Sequence, residues 1–255
     1  MPARPFFSLL TAGSLLLAVC PSAQALLVDW DTLTWAPGAL TNSYDIDPGA
    51  AGNDVTITVS GKPGTLTNDA NTGIMTPNIG MAITGGLAPV QNSFEIAGNL
   101  YTNSKLTLTV NFNPLYTLGS YVSFTIFDID VTTNSDKIQG IYGLAPDGTH
   151  IAATITNVGP AATLTGAGLL QVITGNAASP NAGAGSGNGN ATISFASPVT
   201  GFAFVFDNNA GAPRYQDIAI GDIFFFPIPE IDPAIPAILL CVVAVVMAHL
   251  RKGRV

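Results

Sequence analysis

The chain has 255 residues, 47% of them hydrophobic and only 9% charged, with a formal net charge of -8 at pH 7. Between two terminal hydrophobic segments, residues 26–226 carry four cations (Lys62, Lys105, Lys137, Arg214) against fourteen acids, a balance that repels phosphate backbones and excludes a nucleic-acid partner. Cys20 and Cys241 lie in the terminal segments, so the intervening domain has no disulfide, no cysteine nucleophile and no thiolate metal site.

At the N-terminus Arg4 is followed by a largely apolar stretch over 6–19 and then by Ala23-Gln24-Ala25, the small-x-small form of a signal-peptidase site. Residues 1–25 therefore read as a signal peptide, with Leu26 opening the mature chain. Leu17-Ala18-Val19-Cys20 is ordered like a lipid-attachment site, but β-branched Val19 stands where a small residue is wanted, so simple cleavage is the reading.

Strand signals follow almost without interruption. The first covers 28–35, where Trp30 and Trp35 are odd-spaced and would point to opposite faces, packing in the interior. Residues 54–60 and 105–112 alternate aliphatic with Thr or Asn, the pattern of half-buried strands. Residues 61–92 are rich in Gly, Asn and Thr and give no clear order. Over 121–131 the apolar parity changes between Ile126 and Phe127, predicting a bulge or burial on both faces. Further strands are expected at 93–97, 138–144, 151–156, 169–174, 191–195, 201–206 and 218–226, the Phe-rich last two supplying much of the core. Residues 176–190, NAASPNAGAGSGNGN, read as a flexible loop inside one domain. Many short strands, turn signals such as Pro146-Asp147-Gly148 and no credible helix predict a single antiparallel β-sandwich of jelly-roll type over 26–226.

The last segment, 227–255, has three zones: Ile228-Pro229-Glu230-Ile231-Asp232-Pro233, an apolar run of 17 residues from Ala234 to Leu250, and the basic end Arg251-Lys252-Gly253-Arg254. The run is just long enough for a spanning helix, and the cations after it place that end in the cytoplasm and the domain outside. Together these zones resemble the C-terminal sorting signals of the PEP-CTERM class, and Ile228-Pro229-Glu230-Ile231-Asp232 resembles its VPEID-CTERM variant, with Ile228 in place of Val and Ile231 where the commoner form has a second proline. The resemblance covers about the last tenth of the chain. It implies processing at the membrane by an exosortase-like peptidase that reads the motif around Pro229 and Glu230. Pro229 and Pro233 keep that motif extended and out of the helix. An uncut single-pass anchor is the alternative.

Catalytic signals are sparse. His150, the only histidine of 26–226, follows the 146–149 turn, and no GxSxG elbow accompanies it. Glu95, the only Glu of that region, and Asp128 or Asp130 could serve as a glycosidase pair, a chemistry needing two carboxyl groups about 5 to 10 Å apart across a cleft. A cation is the better-supported reading. Asp128, Asp130, Asn134 and Asp136 place hard oxygen donors within nine residues, and Asp207, Asp217 and Asp222 form a later acidic group that a sandwich could bring to the first. Calcium takes six to eight such oxygens, although the glycine and terminal Glu of an EF-hand are missing. The whole reads as an exported, non-enzymatic β-sandwich with a structural role at the cell surface or in the extracellular matrix, handled by signal peptidase and an exosortase-like peptidase. Its second reading is a polysaccharide-binding surface module with calcium, and its third a secreted glycan hydrolase.

Overall fold

The computed structural model describes residues 25–47, 51–101, 103–113, 119–131, 134–208 and 212–228. Ala23, the sorting residues Pro229, Glu230, Ile231 and Asp232, the apolar run and the basic end lie outside them. Ala25 is exposed and Ile228 donates its N–H to the Gly119 carbonyl at 3.1 Å. Among the described residues no helix is long and apolar enough to cross a membrane.

In chain order the strands are β1 (Leu26–Val28), β2 (Thr41–Tyr44), β3 (Val55–Gly61), β4 (Asn78–Gly80), β5 (Ser93–Leu100), β6 (Leu106–Phe112), β7 (Ser120–Phe127) and β8 (Asp136–Leu144). They continue with β9 (His150–Ala152), β10 (Thr154–Thr156), β11 (Ala162–Thr165), β12 (Val172–Gly175), β13 (Ala191–Ser194), β14 (Gly201–Asn208), β15 (Arg214–Ile220) and β16 (Ile223–Pro227). One sheet runs β1-β16-β7-β15-β5-β4, with β13 on the other edge of β7 and β10 beyond it. The second runs β11-β12-β8-β14-β6-β3-β2, with β9 on β8. Both are antiparallel and eight-stranded, and their facing sides close one hydrophobic core, so the expected antiparallel β-sandwich is the fold.

The alternating sequences behave as their period demands. Val55, Ile57 and Val59 on β3 and Leu106, Leu108 and Val110 on β6 are buried, while the intervening Thr and Asn side chains face out. Phe124 of β7 stacks on Phe202 of β14 across the sandwich, with ring centres 4.5 Å apart. Trp30 stacks on Phe94 at 5.2 Å, and Trp35 meets the same ring edge-on at 4.6 Å. Both tryptophans are thus interior, as expected, but not by opposite-face placement on one strand. β1 stops at Val28, because the Trp30 backbone N–H donates to Asp222 Oδ1 and its indole N–H to the Gly221 carbonyl.

Several other expectations shift. The 218–226 strand is two strands, parted at Gly221 and Asp222, so that β7 pairs with β16 over its first half and with β15 at its end. Residues 151–156 are likewise divided: β9 joins the second sheet and β10 the first. β7 stops at Phe127 because Asp128 has φ +66, the left-handed conformation, and cannot continue a ladder. Burial on both faces of β7 holds, since Phe127 packs with Ile83 and Ala219 in a separate small cluster. Of the Phe-rich pair, β14 buries Phe202, Phe204 and Phe206, whereas on β16 only Phe225 is interior and Phe224 and Phe226 are half exposed.

Candidate functional site

Two features share the outer face of the first sheet. On β7 the core takes Val122, Phe124 and Ile126, which leaves Ser123, Thr125 and Phe127 turned outward. Where β15 and β16 separate along β7, the sheet opens into a groove of about 610 Å³. Its floor includes Thr125, Phe127 and Gly221, and Phe224 stands on its wall with 48% of its surface exposed. Gln91, Asn157, Asn190 and Thr192 supply amides and hydroxyls around it. Thr125 and Thr192 share a hydroxyl hydrogen bond at 3.2 Å, Asn157 Nδ2 donates to Thr192 Oγ1 at 3.4 Å, and Asn190 Nδ2 donates to the Gly85 carbonyl at 2.8 Å. The single carboxylate of the lining is Asp222, fixed by the Trp30 amide and raised in pKa by burial. An open trough with an aromatic ring, neutral donors and acceptors and almost no charge is complementary to a neutral polyhydroxylated ligand.

Beyond Phe127 lies a buried carboxylate cluster. The register pairs Asp217 with Ala97 and Ala219 with Glu95, so Glu95 and Asp217 point away from the core, like Phe127. The chain over 65–86 and 176–190 covers them. Glu95 Oε1 accepts from the Ala82 and Ile83 amides at 2.8 and 3.2 Å. Asp217 Oδ2 accepts from the Tyr215 hydroxyl at 3.1 Å and from Asn181 Nδ2 at 3.4 Å. Asp130 Oδ2 accepts the Ser179 amide at 2.7 Å, and Asp136 Oδ2 accepts the Asp130 amide at 3.1 Å, closing the turn between β7 and β8. One oxygen of each of Asp69, Glu95, Asp128 and Asp136 is buried without a hydrogen-bond partner.

Crowding acids under loops raises their proton affinity. Burial, reinforced by Asp130 and Asp217, pushes Asp128 up to about 8, and Asp136, fully enclosed, lies well above the usual carboxylate range. Asp217 rises to about 6 and Glu95 to about 7, in both cases chiefly by burial against the pull of their hydrogen bonds. Asp130 is also raised, again by burial first. Burial pushes the Tyr215 hydroxyl up as well, so it is a proton donor to Asp217.

Of the seven candidate cation ligands, the fold assembles Asp128, Asp130, Asp136 and Asp217. Asn134 sits in the turn between β7 and β8, half-buried. Asp207 is engaged elsewhere, by Lys105 Nζ at 2.8 Å and Gln139 Nε2 at 2.9 Å, and Asp222 belongs to the groove. Glu95 and Asp128 are both buried and outside the lining of the groove along β7, and His150 stacks on Tyr142 with ring centres 3.9 Å apart. Sequence reasoning missed Asp69, which caps its own turn by accepting from the Asn71 and Thr72 amides, and of the groove lining it had singled out only Asp222, as a cation ligand. The available signal for the groove was the unbroken aromatic run Phe224-Phe225-Phe226, which on a strand must send rings to both faces.

The glycine-rich segment 176–190 is tied down rather than loose. Besides Ser179 and Asn181, it accepts the Ile129 amide on Gly189 O and the Val131 amide on Ala177 O, at 2.8 and 3.1 Å. The approach demands small residues: a Cβ on Gly175, at the head of this segment, would fall 1.9 Å from the Asp130 carbonyl oxygen. Gly175→Ala is therefore expected to destabilise the domain by about 1 to 3 kcal/mol, read from its urea midpoint.

No family model matches the chain, and no curated protein matches it. Similar solved structures include a family 11 carbohydrate-binding module from Clostridium thermocellum in complex with a β-1,3-1,4-mixed-linked tetrasaccharide, 13% identical over 83% of this chain and 100% of that one, with a TM-score of 0.33. A mannan-recognising carbohydrate-binding module, TmCBM27, is 10% identical over 81% and 100% of the two chains, at a TM-score of 0.36. The K1 cleaved adhesin domain of Lys-gingipain from Porphyromonas gingivalis W83 is 12% identical over 81% and 99%, at 0.34.

Proposed function

We propose that this β-sandwich is an exported surface module that binds neutral polysaccharide in the groove along β7. The observation that carries the reading is the lining itself: Phe224 offers a ring face for a pyranose, while Asn157, Thr192 and Gln91 offer donors and acceptors to its hydroxyls. Binding without hydrolysis is supported by the single carboxylate, Asp222, because glycoside cleavage needs two. The sorting signal at 228–233, followed by the apolar run, would deliver the module to the outer surface through signal peptidase and an exosortase-like peptidase.

The test is affinity electrophoresis of the purified protein in gels containing soluble β-glucan, mannan or xylan. At least one should retard the wild type, and Phe224→Ala should weaken retardation by about five- to thirtyfold, since a stacked ring is worth about 1 to 2 kcal/mol. Phe226→Ala, outside the groove lining, should leave it intact. Equal retardation of wild type and Phe224→Ala would place binding elsewhere. Intact mass of the surface-released protein tests the delivery: an end near Glu230 fits sorting cleavage, and a mass that includes Val255 defeats it.

A further inference from the structure

We propose that Asp128 and Asp136 are the anchoring pair of a divalent-cation site of the calcium class, and that the cation holds the 176–190 segment in the position that completes the groove. The second half of this proposal rests on the groove reading; the first does not.

Asp128 and Asp136 retain only 3% and 2% of their surface, and each keeps one carboxylate oxygen, Oδ1, without a hydrogen-bond partner. An oxygen stripped of water and left unmatched is costly to bury, so its persistence at two neighbouring positions calls for a ligand. Asp136 Oδ2 accepts the Asp130 amide at 3.1 Å, and the charges of Asp130 and Asp217 act on both Asp128 and Asp136. Lys105 is bound to Asp207 at 2.8 Å. Asp128 is also held at φ +66, the left-handed conformation, immediately after β7 ends at Phe127.

Hard carboxylate oxygens select a hard cation, and calcium tolerates irregular shells of six to eight oxygens that include carbonyls and water. That tolerance is needed here: among the described residues no three acidic or histidine side chains surround one point at metal-bonding distance, so the pair must be supplemented by carbonyl and water oxygens. The link to the groove is covalent and short. Ser179 and Asn181 bond Asp130 and Asp217, and Gly187 and Asn190, a few residues on, line the groove.

Chelator-treated protein is titrated with calcium chloride alone by calorimetry and by thermal unfolding. Heat of binding and a Tm rise of about 5 to 10 °C at calcium a hundredfold above Kd are expected, both abolished in Asp128→Asn/Asp136→Asn. If that double variant fails to fold, Asp128→Asn alone and the wild-type titration still decide. Polysaccharide retardation should fall about tenfold or more in chelator and return with calcium. No heat and no Tm shift in the wild type would leave Asp128 and Asp136 as a proton-holding pair and overturn the site. A calcium-dependent Tm with retardation unchanged by chelator would overturn the coupling. Calcium binding with no retardation on any polysaccharide would remove the groove reading while the cation site stands.

Discussion

Phe202→Ala is expected to lower the unfolding free energy by about 3 to 5 kcal/mol and Tm by about 10 °C. Phe202 is fully buried at the middle of the sandwich, on a strand flanked by Val110 of β6 and Gly143 of β8. Its ring stacks on Phe124 of the other sheet at 4.5 Å and lies 6.1 Å from Phe195. Truncation removes the transfer free energy of the ring and also leaves a void. That void cannot close, because β14 and β7 are each held by hydrogen bonds along both edges and the two sheets cannot approach independently. Urea unfolding should show a lower midpoint at unchanged slope. Leu170→Ala, at a residue 81% exposed, is the control and should shift stability by no more than about 0.5 kcal/mol. A loss below 1 kcal/mol for Phe202→Ala would mean that the sheets are not joined through this stack.

Strands whose fate is decided by their own period were readable in the sequence. β3 and β6 lie next to each other in one sheet, with one face buried and one solvated, and alternation alone locates them. Strands decided by tertiary partners were not. The expected 28–35 strand ends early because Trp30 turns inward to bond Gly221 and Asp222, about 190 residues away, and the same contact breaks the expected 218–226 strand in two. β2, β4 and β11 are short and polar or small, and without their partners they look like the turns around them.

The acidic site was legible in part for the same reason. Asp128, Asp130 and Asp136 are neighbours in sequence and remain so in space. Asp207, Asp217 and Asp222 form one group in sequence, yet Lys105, Tyr215 and Trp30 draw them to three different surroundings. Glu95 sits between Phe94 and Ile96, which alternation sends to the core, so it looks like a solvated outer-face acid. It is buried because the segment around Ala82 and Ile83 folds over that face, and a segment rich in Gly, Asn and Thr gives no warning of where it will lie.

That burial makes Glu95 the source of the second large effect. Glu95→Gln is expected to gain stability over the wild type as pH rises, on the order of 3 kcal/mol by pH 8. Burial raises the Glu95 carboxyl from its ordinary 4.5 to about 7; the Ala82 and Ile83 amides oppose that rise, and the negative charges of Asp69 and Asp217 add to it. Below about 4.5 the folded and unfolded chains both hold the proton, and the contribution of the neutral group is complete. Between 4.5 and 7 only the folded chain holds it, so stability falls as pH rises; above 7 both chains have released it and the loss is full. Glutamine keeps Oε1 for the two amides and carries no charge at any pH, so its curve lacks this fall. Asp128 and Asp217 also release protons in this range, which makes the wild-type slope a sum; the difference between wild type and Glu95→Gln isolates the Glu95 part. Urea midpoints in chelator at pH 4.5, 6 and 8 read it directly, and the difference should widen steadily toward pH 8. A difference that stays constant with pH would mean that the folded chain carries Glu95 ionised throughout, the two amides compensating for its burial.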